Sequence, residues 1–285
     1  MSETPVLASS YTFDPFAQHK FYHDINQSLV RRAIVRLNDA HPAGKPVRVV
    51  ELASGTGAVT ELILDELQRL GRPGTVIGVE PSPEAIEIAC ARLESRGARF
   101  VQGEADSLVQ VAPGADAVFF CNAIHLVPDK RQVMGKIANA MAPDGFFACN
   151  SAFYQGTYTP GSERFYHLWT RRALGWLRKN HPGVRTARTE KATAMQWLTP
   201  DEYAQALEAT GLHVVDRVEE TAQMPLRAWQ DIGRYWLFIE GALPGVPIPI
   251  GAEALEQSAA EAMAELNITE VPRNWLHIIA QRIVH

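Results

Sequence analysis

One short stretch, residues 47–70, constrains the fold of this chain more than any other. An apolar run ends in Glu51, a turn of small residues contains Gly55 and Gly57, and an amphipathic segment begins at Val59. This order predicts a buried strand, a tight loop and a helix. Glycine reaches backbone angles that other residues avoid, and the first N–H groups of a helix point into the same space. The loop is therefore predicted to bind a ligand.

The acid before the glycines indicates the charge of that ligand. A carboxylate beside a phosphate site would repel the phosphate electrostatically. Glu51 therefore favours a ligand that carries positive charge.

The segment Glu51 to Gly57, with the sequence Glu-Leu-Ala-Ser-Gly-Thr-Gly, resembles the first motif of class I S-adenosylmethionine-dependent methyltransferases. Dinucleotide-binding folds share this glycine spacing. Ala53 occupies the first of three glycine positions, and its methyl group is tolerated if φ there is negative. The resemblance implies that Glu51 serves the amino group of S-adenosylmethionine, usually through water, and that Ala53, Ser54, Gly55 and Gly57 surround this cofactor.

Two further segments extend the resemblance. Glu80 follows a predicted strand at residues 75–79, about 20 residues beyond the loop, where a carboxylate grips a ribose diol. Pro81 follows it and joins the predicted cofactor site. Residues 102–108 are similar to the family's adenine motif, which implies that Glu104 accepts from the adenine amino group and that the Ala105 N–H donates to a ring nitrogen. Asp106 is the competing acid.

The loop after the fourth predicted strand, residues 122–129, resembles the substrate-facing loop of small-molecule methyltransferases. This resemblance implies that Asn122 lies at the cofactor and that His125 is the first candidate for a catalytic or substrate-binding imidazole. A neutral histidine suits the removal of a proton from a hydroxyl. A structural histidine bonded to backbone is the alternative.

Residues 11–26 are rich in aromatic and imidazole side chains and precede a predicted helix. One interpretation is a flap over the methyl donor, with His19, Tyr22 and His23 as further catalytic candidates near the substrate. In the alternative, Tyr22 packs in the interior and both histidines are exposed.

Five predicted strands alternate with helices up to residue 150, which predicts an α/β fold with a parallel sheet covered on both faces. The resemblance adds antiparallel strands at 213–218 and 275–282. We expect a doubly wound, mostly parallel seven-stranded sheet in one domain over residues 1–285. Its parts are a helical flap (1–44), a cofactor-binding core (45–155), a helical lid of two insertions (156–210 and 221–270) and the last strands (211–220 and 271–285).

Five of the six tryptophans lie in the two insertions, and the sixth lies in the last strand. We interpret their aromatic residues as the wall of a pocket for an acceptor with apolar or aromatic parts. Alternatively, they extend the core or form the surface of a homodimer. Arg171, Arg172, Lys179 and Arg185 could bind an acidic group, or they form a solvated helix face.

Composition argues against nucleic acid, metal ions and membranes as binding partners. A net charge of −5 lacks the basic excess of nucleic-acid-binding proteins. Three cysteines without paired spacing predict no metal site. No apolar run is long enough to predict a membrane span, and the N-terminus lacks a signal-peptide core, so we expect a cytoplasmic protein.

The sequence therefore predicts an enzyme that transfers a methyl group from S-adenosylmethionine to a small-molecule acceptor, with oxygen as the expected acceptor atom. A NAD(P)-dependent oxidoreductase is one alternative, disfavoured by Glu51 and by the lack of a Tyr-x-x-x-Lys pair. A protein that binds S-adenosylmethionine for other chemistry is the second alternative. The sequence has no Walker lysine after the glycines, which a P-loop nucleotide site would need, and no Gly-x-Ser-x-Gly motif, which a serine hydrolase would need.

Overall fold

A computed structural model describes residues 11–187 and 197–283. Seven strands form one sheet in the order β3-β2-β1-β4-β5-β7-β6. They are β1 (Val47–Leu52), β2 (Gly74–Glu80), β3 (Ala98–Gln102), β4 (Ala115–Cys121), β5 (Met141–Ser151), β6 (Leu212–Pro225) and β7 (Glu270–Arg282). Strands β1 to β5 pair in parallel, and β7 runs antiparallel to β5. The predicted mostly parallel seven-stranded sheet is confirmed.

Helices connect these strands. The described α-helices are α1 (Asp14–Ala17), α2 (Lys20–Ala40), α3 (Ala58–Arg69), α4 (Pro83–Leu93), α5 (Leu108–Val111), α6 (Lys130–Ala140), α7 (Glu163–Asn180), α8 (Pro200–Glu208), α9 (Leu226–Gly233), α10 (Trp236–Ala242) and α11 (Ile248–Leu266). Short 3₁₀ helices lie at Glu94–Arg96, Ala105–Ser107 and Ile124–Leu126.

The alternation of side chains along β1 builds a core on each face of the sheet. Val49 is fully buried in one core together with Leu29 and Ile63 from helices α2 and α3. Val50 is fully buried in the opposite core together with Met134 and Tyr203 from helices α6 and α8. Because both faces of the strand are covered, β1 reads as a nearly continuous apolar run, as expected for a parallel sheet.

The strand order reverses at β1. Strand β1 pairs with β2 on one side and with β4 on the other. The connections after β1 and β4 therefore leave the sheet in opposite directions, which opens a crevice at the carboxyl ends of these strands. The glycine loop follows β1 and lies at this switch point.

The described residues fall into two compact units. The sheet unit contains residues 23–155, 197–220 and 275–283, and the helical unit contains residues 11–22, 156–187 and 221–274. Two differences from the expected segments stand out. Helix α8, predicted as part of the first insertion, packs in the sheet unit through Tyr203 and Leu207, which are buried in its core. Strand β6 continues to Pro225, into the segment predicted to be helical.

The helical unit has an aromatic core of its own. The Trp169 ring stacks on the rings of Phe165 and Phe238 and makes a T-shaped contact with Trp229. The ring centroids are 5.5 Å apart in each of the three pairs. The Trp169 indole N–H donates to the Leu255 carbonyl at 2.8 Å. The ring contacts therefore join helix α7 to helices α9 and α10, and the indole hydrogen bond joins it to helix α11.

Ion pairs occupy part of the basic face of α7. Arg172 donates to Glu261 at 2.7 Å and also to Glu265, and Arg171 lies 3.6 Å from Glu265. These contacts join two helices of one unit at an exposed surface. They favour the interpretation of a solvated helix face for both arginines.

Two other expectations concern metals and membranes. Cys121 and Cys149 are buried in strands, and Cys90 is half-buried in α4. Within residues 11–187 and 197–283, no group of three or more potential ligands is arranged to hold a metal ion. None of the described helices combines the length and the apolar character that a membrane crossing needs.

Candidate functional site

The glycine loop forms a turn with three left-handed residues. Ala53 has φ 53°, Gly55 has φ 53° and Gly57 has φ 87°. The Ser54 N–H donates to the Val79 carbonyl at 3.2 Å, and the Gly57 N–H donates to the Ser54 carbonyl at 2.9 Å. A Cβ atom at position 57 would lie 2.7 Å from the Leu93 side chain. The positive φ favours glycine at this position, and a larger residue would also have to displace the end of the Leu93 side chain.

The condition of a negative φ at Ala53, under which the methyl group would be tolerated without strain, is not met. The strand ends at Leu52, and the chain must turn at once into the loop, so position 53 adopts the angle that glycine adopts without strain. A left-handed alanine costs roughly 1–2 kcal/mol because its Cβ crowds the following carbonyl. The chain therefore carries local strain in the loop predicted to bind the cofactor.

Glu80 braces the loop from the next strand. Its Oε2 accepts from the Gly55 N–H at 2.9 Å, and its Oε1 accepts from the Ser82 N–H at 3.1 Å. The sequence did not predict this contact, which joins the glycine loop to the start of helix α4. An ionised carboxylate has about four acceptor positions, so these two bonds leave acceptor positions on both oxygens for a ribose diol.

Glu51 lies below the loop and is buried, with 2% of its surface exposed. Its Oε2 accepts from the Thr60 hydroxyl in helix α3. Burial raises the pKa of Glu51 to about 8; the nearby charge of Glu80 adds to this effect and the bond from Thr60 opposes it. This differs from the fixed carboxylate that the sequence suggested, because at neutral pH the carboxyl is mostly protonated.

A cleft of about 440 Å³ opens at the carboxyl ends of the strands. Ala53 lines it after β1, Pro81 after β2, and Glu104 and Ala105 after β3, so four of the predicted cofactor residues share one cleft. The other six predicted cofactor residues are not among its lining residues. Ser54, Glu80 and Asn122 are each adjacent in sequence to a lining residue, and Glu51, Gly55 and Gly57 lie two to four positions from Ala53. The side chain of Asp106, the competing acid, lies outside the described part of the chain.

The cleft has an apolar wall that the sequence motifs did not identify. Phe120 contributes from β4, Leu126 and Val127 from the loop after it, and Val133 from helix α6. Phe120 and Val133 occupy positions in a buried strand and on the apolar face of a helix, where a core residue is the usual assignment. No motif marks them as pocket residues, so only the folded geometry could assign them.

His125 is buried beside this wall, with 5% of its surface exposed. Its Nδ1 lies 3.1 Å from the Ser151 Oγ, and its ring stacks on Phe153 with centroids 4.3 Å apart. Its sequence neighbour Leu126 lines the cleft, whereas His125 itself is not among the lining residues. Ser151 is the last residue of β5 and Phe153 follows it, and neither carries a sequence signal that links it to His125.

Lys130 holds the same loop from helix α6. Its Nζ donates to the Val127 carbonyl at 3.0 Å and to the His125 carbonyl at 3.4 Å. Burial lowers the pKa of this lysine. The ammonium group therefore caps the carbonyls of the loop that carries His125.

The three N-terminal candidates have different surroundings. His19, in the helical unit, has its Nε2 2.9 Å from the Asp231 Oδ2. Tyr22, in the same unit, is 6% exposed and packs against Phe13 and Phe16. His23 begins the sheet unit, and its half-exposed side chain lies 3.7 Å from Asp24. Tyr22 thus has the surroundings of a packing residue, whereas His19 is not the exposed histidine of the alternative interpretation.

Comparisons with known proteins agree with this geometry. Residues 50–147 match a family model described as a methyltransferase domain. A fatty-acid O-methyltransferase of Mycolicibacterium smegmatis is 30% identical over 105 residues, which are 37% of this chain and 37% of that protein. The chain thus matches little more than a third of the length of this relative.

Solved structures show the same fold. A protein of Bacillus halodurans C-125 described as a methyltransferase aligns with a TM-score of 0.54 and 12% identity over 89% of this chain and 100% of that chain. The [4+2]-cyclase SpnF aligns with a TM-score of 0.51 and 14% identity over 90% of this chain and 82% of that one.

The sheet order and the crevice define a class I, Rossmann-like methyltransferase fold. The family model that matches residues 50–147 identifies the region from β1 to β5 as a methyltransferase domain. The resemblance predicted from the sequence is confirmed.

The strain at Ala53 gives a first prediction. Ala53→Gly should raise the free energy of unfolding by about 0.5–1 kcal/mol, because glycine adopts φ 53° without a clash. Ala91→Gly, at an exposed position in helix α4, is the matched control and should lower it by about 0.5–1 kcal/mol. Urea unfolding of both variants measures the difference. If both substitutions destabilise equally, position 53 is not strained.

Proposed function

We propose that this protein binds S-adenosylmethionine in the cleft beside β1 to β4 and transfers its methyl group to an oxygen of a small molecule. The observation that carries the proposal is the convergence of the left-handed glycine loop, the Glu80 brace and the Glu104–Ala105 turn at one crevice. The volume of the cleft is in the range of ligand pockets.

The charges of the cleft suit this cofactor. S-adenosylmethionine carries a sulfonium, an ammonium group and several hydroxyl and amino donors. Glu104 and Asp129 line the cleft, and none of its described lining residues is Lys or Arg. A dinucleotide brings a pyrophosphate, which this acidic lining would repel. The electrostatics therefore favour the methyl donor over NAD.

Each part of the cofactor has a matching group in the sheet unit. Glu104 and the Ala105 N–H would hold the adenine, and the outer lone pairs of Glu80 would accept from the ribose hydroxyls. The glycine loop and Glu51 would receive the methionine end, because a cation favours ionisation of that buried carboxyl. When bound, the cofactor supplies a methyl group already activated on sulfur.

The protein must then align the acceptor and, where the acceptor is a hydroxyl group, remove its proton. His125 is the proposed base or hydrogen-bond anchor. Because Ser151 engages Nδ1, the imidazole would meet an acceptor through Nε2. The apolar wall formed by Phe120, Leu126 and Val127 suits an acceptor with apolar parts. The partial similarity to a fatty-acid O-methyltransferase supports oxygen as the acceptor atom and a carboxylic acid as a first substrate class to test.

Ligand binding tests the first half of this proposal. S-adenosylhomocysteine should bind the purified protein in a calorimetric titration, whereas NAD should give no heat. Glu80→Ala should weaken binding by about 1.5–3 kcal/mol, roughly tenfold or more, because it removes charge-assisted bonds and the brace on Gly55. Glu94→Ala removes an exposed acid of the same sheet unit and should bind like the parent.

Two results would contradict this assignment. Clear binding of NAD without binding of either sulfur nucleoside would contradict the cofactor. Normal binding by Glu80→Ala, with loss of binding in Asp106→Ala, would show that the wrong acid was assigned to the ribose.

The raised pKa of Glu51 predicts that ligand binding releases a proton. A free glutamate ionises near pH 4.5, but folded Glu51 stays protonated up to about 8, so its ionisation costs stability as the pH rises between these values. A bound ammonium group should reverse this and release about one proton near neutral pH. Titration of S-adenosylhomocysteine in buffers of different ionisation enthalpy measures the release, and Glu51→Gln should abolish it. An equal release from Glu51→Gln would assign the proton to another group.

The role of His125 predicts a kinetic effect. A positioned base contributes about 10² to 10⁴ in rate, so His125→Ala should lower single-turnover methyl transfer by that factor with cofactor affinity within about threefold of the parent. Labelled S-adenosylmethionine with panels of fatty acids, phenols and amines identifies the acceptor first. His41→Ala, at a histidine bonded to Asp116, is the control and should react like the parent. A rate for His125→Ala within about threefold of the parent would make His125 a structural residue.

A further inference from the structure

A buried amide network crosses the sheet unit beside the cleft. The Asn26 Oδ1 accepts from the Asn122 Nδ2 at 2.9 Å and from the Asn150 Nδ2 at 3.0 Å. The Trp275 indole N–H donates to the Asn122 Oδ1 at 3.0 Å. Asn26, Asn150 and Trp275 have at most 1% of their surface exposed. These side chains therefore bond to one another in the interior.

The bonds fix the direction of each amide. The Asn26 oxygen has two lone pairs, and the two amide donors use both. A rotation of the Asn26 amide by half a turn would place its nitrogen against both of these donors. An unmade hydrogen bond is costly in a buried site, so the network has one favourable arrangement.

The network holds a residue with an unusual backbone. Asn122 has φ 55°, in the left-handed region, which asparagine visits more easily than most residues. Its N–H donates to both the backbone oxygen and the Oδ1 of Asn150, each at 3.0 Å. Both ends of its side chain are also engaged. Asn122 is thus fixed in the one direction that sends the chain from β4 into the following loop.

That loop forms one wall of the cleft. Ala123 follows Asn122 directly, Leu126 and Val127 lie further along the same loop, and all three line the cleft. Asn26 itself is fully buried on helix α2 and is not among the lining residues. It can affect a bound ligand only through the position of Asn122 and the wall.

We propose that Asn26 is a positioning residue for the cofactor cleft, because its amide oxygen holds Asn122 left-handed and so sets the wall that follows β4. The effect on cofactor binding rests on the proposed function, whereas the effect on the loop does not. Asn26 contacts neither cofactor nor acceptor in this assignment.

Three variants separate positioning from general stability. Asn26→Leu removes the acceptor at similar volume, and Asn26→Asp keeps an oxygen for both donors. Leu29→Ala, one turn along the same helix and fully buried, loosens the packing of the helix without touching the amides. Thermal unfolding and titration with S-adenosylhomocysteine are measured for each. We expect Asn26→Leu to bind about tenfold more weakly, and Asn26→Asp and Leu29→Ala to bind within about threefold of the parent.

Hydrogen–deuterium exchange of residues 122–127 gives a readout that needs no ligand. Exchange there should be about tenfold faster in Asn26→Leu and unchanged in Leu29→Ala. If Asn26→Leu does not fold, Asn26→Ala removes the same acceptor without new methyl groups and is measured instead. The proposal would be overturned if exchange and affinity were unchanged in Asn26→Leu or Asn26→Ala. It would also be overturned if affinity and exchange protection fell only in proportion to the melting temperature across all variants. If the parent fails to bind the nucleoside, the proposed function is wrong, and the exchange result alone decides the role of Asn26.

Discussion

The left-handed turn after β1 is the constraint on which the site depends. The chain leaves the centre of a parallel sheet at Leu52 and must enter helix α3 within a few residues, so positions 53, 55 and 57 all adopt positive φ. Within this turn the Ser54 N–H donates to the Val79 carbonyl, the Gly55 N–H donates to Glu80 and the Gly57 N–H donates to the Ser54 carbonyl. The sheet thus supplies both the loop and the acid that braces it, because β1 and β2 are neighbours in register.

Two acids beside this turn determine its electrostatics. Burial keeps Glu51 mostly protonated, and the charge of Glu80 works in the same direction. Glu80 accepts hydrogen bonds from the backbone N–H groups of Gly55 and Ser82. In the proposed function, a cationic ligand would favour ionisation of the buried Glu51 carboxyl. A cationic ligand would therefore gain from both acids, and an anionic ligand would gain from neither.

Local patterns in the sequence were sufficient for the sheet and for the residues near strand ends. Apolar runs identified β1 to β5, and an acid or a glycine marks the ends of β1, β2 and β3. The positions of Glu80 and Glu104 follow from those strand ends. The left-handed φ of Ala53 could not be predicted, because it depends on the turn and not on the residue. The sequence placed helix α8 in the first insertion, and the packing of Tyr203 and Leu207 in the sheet core is a long-range contact that no local pattern indicates. The bond between Asn26 and Asn122 joins residues 96 positions apart and has no local signature.

The two roles left open for His125 correspond to two tautomers of its ring. The Ser151 Oγ accepts from the Phe153 N–H at 2.9 Å and lies 3.1 Å from the His125 Nδ1. If the hydroxyl donates to Nδ1, the proton of the imidazole is on Nε2, and His125 offers a donor to an acceptor oxygen. If Nδ1–H donates to the hydroxyl, Nε2 is a base. Because Ser151 has one hydrogen and two lone pairs, it can stabilise either tautomer. The ligand then decides between them, since an acceptor with a hydroxyl proton favours the basic tautomer and an ionised carboxylate favours the donor.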